Sequence, residues 1–228
     1  MSEKWKFVID PGHGGKDPGA LSPAGHRESD NNLAIAKLIR DMEPGFGGKI
    51  EFYLTRTGND TVSPATRAAY ANQIQADYFI SVHQNSDSLR QGKGIEVFAL
   101  APGGEGEKLG GVLLNRLIRQ TGLINRGLKF ANYTVLKETK MPAVLCEIGF
   151  IGTLEEAQVI SKPEFHRQAA LSICEGIAEY LKIPFSPPEE KKEPSLSVEE
   201  INNLKSRVAE LEKRLKEIRE FVLLKTYK

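Results

Sequence analysis

Short apolar runs alternate with amphipathic ones along most of the chain. Residues 5–10 (WKFVID) read as a buried strand. Residues 28–42 follow as a helix, with Leu33, Ala36, Leu38 and Ile39 available to its inner side. Residues 50–55 are strand-like, and 64–75 read as a helix with Pro64 near its start. Two further strands are predicted at 77–83 (DYFISVH) and 95–100 (IEVFAL). Residues 105–121 are helical, 133–137 extended, and 142–148 (PAVLCEI) strand-like. Helices over 154–160 and 163–181 close the series. Strands taking turns with helices predict an α/β fold around a mostly parallel sheet.

The pattern then changes. Residues 184–195 (PFSPPEEKKEPS) are rich in proline and charge, the composition of a linker. Beyond them Ile201, Leu204, Val208, Leu211, Leu215, Ile218 and Val222 recur at alternating spacings of three and four, with Glu, Lys and Arg between. That is a heptad seam. The expected organisation is therefore a catalytic domain over 1–183, a linker over 184–196 and a C-terminal coiled-coil helix over 197–228. The seam could build a homo-oligomer or fold back on the domain as a single amphipathic helix; the polar linker favours the oligomer. The branching of the seam residues leans towards a parallel dimer, but Leu215 and Ile218 reverse that order, so the strand number stays open.

Composition narrows the function classes. The chain has 228 residues, 40% of them hydrophobic and 27% charged, enough for one cored domain plus an appendage. Its formal net charge of +1 creates no global field for a polyanion, so no nucleic acid is expected as a partner. The two cysteines, Cys146 and Cys174, sit in apolar surroundings, outside any CxxC pair, and read as buried thiols of a reducing compartment. Residues 1–6 lead directly into a short strand rather than a long apolar segment, so the sequence predicts cytoplasmic synthesis without a secretory signal. No stretch is long enough for membrane insertion.

The chemistry is expected where an open α/β sheet binds ligands, beyond the carboxyl ends of its strands. His13 follows the first strand in the loop PGHGGKDPGA, His83 ends DYFISVH, and Glu147 ends AVLCE. Glu28 opens the helix fed by that same first loop. Two imidazoles and one carboxylate with an open fourth position make a catalytic zinc shell, and a further carboxylate can move protons to and from water. Taken singly, His83 reads equally well as a core histidine and Glu28 as a first-turn acid favoured by the helix dipole. Glu147 is the odd one, since a carboxylate ending an apolar strand is costly unless paired or used. Asp10 and Asp17 could orient His13 or cap its turn. His26 reads as an exposed loop residue, and His166 carries no assigned role. The glycine loop is no phosphate loop, because its lysine is not followed by Ser or Thr. By spacing alone this is metal-assisted hydrolysis.

In order along the chain, VIDPGHGGKDPGA, the ES–NNLAIAKLI helix, LTRTGND, ISVHQNS and MPAVLCEIGFIGTLEEA resemble the motifs of zinc-dependent N-acetylmuramoyl-L-alanine amidases. The similarity extends from Phe7 to Leu181. It implies a twisted, mostly parallel sheet of about six strands flanked by helices. It implies metal ligands at His13, Glu28 and His83, one Zn2+, and a catalytic carboxylate at Glu147. It also implies the substrate: the bond joining N-acetylmuramic acid to L-alanine in peptidoglycan. A protein made without a signal would then act on the wall after release, in phage-type lysis or in sporulation. The family often has Glu-Lys where this chain has Glu28-Ser29, and no long insertion precedes His83 that could shut the site. Two rivals follow: a catalytically silent wall-binding scaffold, and a zinc peptidase acting on another amide.

Overall fold

The computed structural model describes residues 4–189 and 198–226. Six strands form one sheet: β1 (Trp5–Pro11), β2 (Ile50–Leu54), β3 (Tyr78–Asn85), β4 (Ile95–Ala99), β5 (Asn125–Phe130) and β6 (Ala143–Phe150), in the order β2-β1-β3-β6-β4-β5. Every neighbouring pair is parallel except β4 with β6. The amino ends of β4 and β5 therefore lie on the same rim as the carboxyl ends of β1, β3 and β6.

Helices cover both faces. The helices α1 (Glu28–Asp41), α3 (Glu105–Thr121) and α6 (Pro163–Leu181) bury Ile35, Ile39, Leu109, Leu113, Leu117, Ile173 and Ile177 against Phe7, Ile9, Ile80, Val82 and Val97. On the other face α2 (Pro64–Gln73) and the one-turn α4 (Thr134–Lys137) pack on Val8, Phe79, Phe98 and Leu145. Cys146 and Cys174 are free thiols buried in the first of these layers. The short α5 (Leu154–Ile160) leads from β6 into α6. Burial of aliphatic and aromatic side chains on both faces explains why the strands read as nearly continuous apolar runs.

One local expectation was overturned. Residues 133–137 are not extended: Thr134–Lys137 turns as α4. Val135 and Leu136 are adjacent in sequence and both buried in one cluster, which one helical turn allows and a pleated strand does not. The strand that completes the sheet is instead β5, whose sequence NRGLKF has charge, glycine and only two apolar residues. It lies at the sheet edge, where charged residues are tolerated, and its pairing with β4 supplies what its own propensity does not.

The chain divides into two compact units, one reaching Pro188 and one from Glu189 onward. Within the first, residues expected to open the linker are packed: Phe185 lies against Phe46 with ring centroids 4.5 Å apart, and the Ser186 N–H donates to the Gly45 carbonyl. Residues 190–196 of the expected linker lie outside the described residues. In the second unit Val198–Thr226 forms a helix, α7, on which Ile201, Leu204, Val208, Leu211, Leu215 and Ile218 are all exposed. The side chain of Val222 lies outside the described residues. Among the described residues no helix is long and apolar enough to cross a membrane.

Candidate active site

β1 delivers the chain to the rim, and the loop after it carries His13 with a backbone φ of 59°, in the left-handed region. Two buried arginines hold that conformation. Arg67 donates to the carbonyls of Pro11 and His13, and Arg56 donates to those of Pro11, Gly12 and Ser29. Arg67 is itself seated on Asp10, which also accepts from Thr55 and from Ser81. Asp10 therefore supports the loop through Arg67. Asp17 is the residue that touches the imidazole, with Oδ2 2.7 Å from His13 Nδ1. That contact leaves Nε2 directed at Glu28, 3.2 Å from Oε1.

Glu28 is the first residue of α1, and no side chain caps that end. An acid there is favoured by the unpaired N–H groups and the helix dipole. Its Oε1 also lies 2.9 Å from His83 Nδ1 and accepts from the Gln84 N–H and the Asn32 amide, while Oε2 accepts from the Ala20 N–H. Gly12 allows the third component to approach. A Cβ at that position would come within 2.2 Å of His83 Cε1, so only glycine lets β1 pass the ring.

β3 continues to Asn85 rather than stopping at His83, and its register with β6 shifts between those two residues. β6 likewise runs past Glu147 to Phe150. His83 and Glu147 are direct partners in that parallel ladder, and both line one cleft with His13, Asp17 and Tyr133. The four residues picked out by sequence thus meet at one place. His26 is exposed in its loop. His166 is buried on α6, where its Nε2 has no partner, away from the cleft. Reading the sequence alone missed Arg56, Arg67 and Tyr133. The arginine within LTRT was a visible signal, because an arginine ending an apolar strand needs carbonyls or acids to satisfy it.

The electrostatics show how tightly these groups are coupled. Burial pulls the His13 imidazole down, but hydrogen bonds and charge from Glu28 and Asp17 prevail and lift it to about 9. Burial opposes the Glu28 carboxylate, yet contacts with His13 and His83 hold it far below the ordinary carboxylate range. Glu147 behaves oppositely. Burial, helped by the charges of Glu28 and Glu96 and opposed by those of His83 and His13, raises it to about 7. Its Oε2 has no accessible surface and no hydrogen-bond partner, although the residue as a whole keeps an edge on the cleft.

One ligand atom from each of His13, Glu28 and His83 lies within 4.8 Å of the other two. Two imidazole nitrogens and a carboxylate oxygen suit a divalent ion of zinc type. The Asp17 contact to His13 has the form of the carboxylate–histidine pairs that orient metal-bound imidazoles. The donor set, with Glu147 lining the same cleft as His13 and His83, fits a catalytic metal.

Residues 7–179 match the family model described as N-acetylmuramoyl-L-alanine amidase. This chain belongs to that family. The amidase is 34% identical over 174 residues to N-acetylmuramoyl-L-alanine amidase CwlM of Bacillus licheniformis, covering 76% of this chain and 67% of the relative. It is 34% identical over 197 residues to the endolysin of Bacillus phage SPP1, covering 82% of this chain and 71% of that one. Among solved structures, the N-acetylmuramoyl-L-alanine amidase of Clostridium difficile 630 superposes with a TM-score of 0.75 at 31% identity, covering 79% of this chain and 98% of the other. The amidase thus spans about two thirds of the length of curated relatives such as CwlM. The matches to CwlM and to the solved amidase cover about three quarters of it.

Proposed function

We propose that this amidase hydrolyses the amide bond between the lactyl group of N-acetylmuramic acid and L-alanine in bacterial peptidoglycan. The observation that carries the reading is the meeting of His13, Glu28 and His83 around one point, with Glu147, the ladder partner of His83, lining the same cleft. When bound by those three residues, Zn2+ would polarise the scissile carbonyl and acidify water. Glu147 then has two tasks. Its carboxylate takes a proton from the attacking water, and its carboxylic acid returns that proton to the departing alanine nitrogen. Asp17 keeps the His13 ring in one tautomer, and Arg56 and Arg67 fix the loop that aims it.

The test is mass spectrometry of purified cell wall digested by protein that has been stripped with chelator and then restored with zinc. Restored protein should release stem peptides with new alanine amino termini, and stripped protein should not. Wall binding without new amino termini would defeat the reading in favour of a silent scaffold, and cleavage at another amide would change the substrate.

The second unit contributes differently. Six exposed apolar residues along one seam of α7 support a self-associating coiled coil. Two catalytic heads on one repeating polymer would raise the local concentration of each near its next bond.

A further inference from the structure

The face of the sheet that carries Glu147 does not end at the cleft. Glu96 on β4 is the direct antiparallel partner of Glu147, so the two side chains stand on the same face. Glu96 is 4% exposed and therefore needs partners. Arg126 Nε donates to its Oε2 at 2.9 Å, Lys129 Nζ donates to the same oxygen, and the Asn85 amide donates to Oε1 at 2.7 Å. Both cations come from the edge strand β5. Arg126 also lies over the Phe150 ring, 4.7 Å from its centroid, and Lys129 lies 5.9 Å from that of Phe98. Their side chains keep 36% and 41% of their surface exposed. Two cations against one buried acid leave a net positive charge at the surface beside Glu147. The cationic residue lining the cleft itself, Arg67, is buried and committed to Asp10 and to loop carbonyls.

We propose that Arg126 and Lys129, gathered on Glu96, form a subsite for a carboxylate of the stem peptide, two or three residues beyond the scissile amide. The inference rests on the amidase reading above. Distance selects the position. Neighbouring strands lie roughly 4.8 Å apart, so charge held over β4 and β5 is about 5–10 Å from Glu147. An extended peptide advances about 3.3–3.6 Å per residue, which brings its second or third residue over the pair. Sign agrees as well: Glu147 and Glu96 alone would repel an acidic peptide, and the two cations reverse the field where the peptide would leave the cleft. Protection of a sheet edge by charge accounts for a lysine on β5. It does not require both cations to converge on a buried acid on the catalytic face.

The experiment uses the zinc-loaded full chain and N-acetylmuramoyl tripeptides whose second- and third-residue carboxyls are free or amidated, one at a time. The wild-type protein should prefer one free carboxylate over its amide by about two- to fivefold in kcat/KM, the range of a partly exposed charge contact. Lys129→Met and Arg126→Gln should each bring that ratio, taken between the two substrates within the same variant, close to one. Lys129→Arg should keep the preference, which separates charge recognition from a loss of fold. A wild-type ratio near one at both positions, or a ratio that survives both neutral variants, would overturn the subsite. A wild-type protein that cleaves none of these substrates would defeat the amidase reading itself.

Discussion

Glu147 is where the environment changes a side chain most usefully. An ordinary glutamate titrates near 4.5, and burial with two acidic neighbours lifts this one to about 7. Glu147→Gln should lower kcat by about 10²–10⁴-fold, the usual contribution of a positioned acid–base, while the protein binds as much metal as the wild type. Retained turnover would remove Glu147 from the mechanism. The same shift predicts a pH effect on stability. A carboxyl with a raised folded pKa stabilises through its neutral form, so that contribution is complete below about pH 4.5 and is lost as pH rises through about 7. In metal-free protein the glutamine variant should therefore melt above the wild type at pH 8, by on the order of 2 kcal/mol, with the gap closing under acid conditions. Equal melting temperatures at pH 8 would show that the carboxyl is not held against its ionised form.

At the scale of elements, the connection from β1 to α1 does most to build the site. It carries His13, passes His83 at Gly12 and ends on Glu28 at the start of the helix. Gly12→Ala would drive a methyl into the His83 ring. Zinc affinity should fall by about 10–100-fold, as for other changes that disturb ligand orientation, with the circular dichroism of the sheet unchanged. Competition with a metal-sensitive dye would measure this, and unaltered affinity would mean that the ring can move without cost. Elements also differ in how clearly they were written in the sequence. α3, α5 and α6 were legible to the residue, because each carries an apolar stripe of helical period and a clear start or stop. α4 and β5 were not. A single turn is too short for a period to appear, and an edge strand of mixed composition owes its conformation to the neighbour it pairs with.

For the molecule as a whole, the question is what the second unit adds. If the seam of α7 self-associates, the full chain should sediment as an oligomer, and removal of residues 195–228 should give a monomer. The truncated protein should keep its rate on small soluble muramyl peptides and act more slowly on intact wall, where a second head matters. A full chain that is already monomeric at micromolar concentration would reject self-association. The tertiary structure also revised how the expected linker begins: Phe185 gives an otherwise polar stretch a side chain that the domain can bury against Phe46.

The sequence by itself determined the alternation that makes an α/β sheet and the chemistry at the strand ends, because period and residue type are local properties. Glu147 was legible as a carboxylate costly without a use, and His13, Glu28 and His83 as members of a set that converges on one rim of the sheet. Only the tertiary structure decided that His83 and Glu147 are ladder partners, that Arg56 and Arg67 hold the His13 loop, and that Arg126 and Lys129 reach Glu96. Those facts depend on strand order and on the reversed direction of β4 and β5. Pairing between segments far apart in the chain sets both, and no local pattern records it.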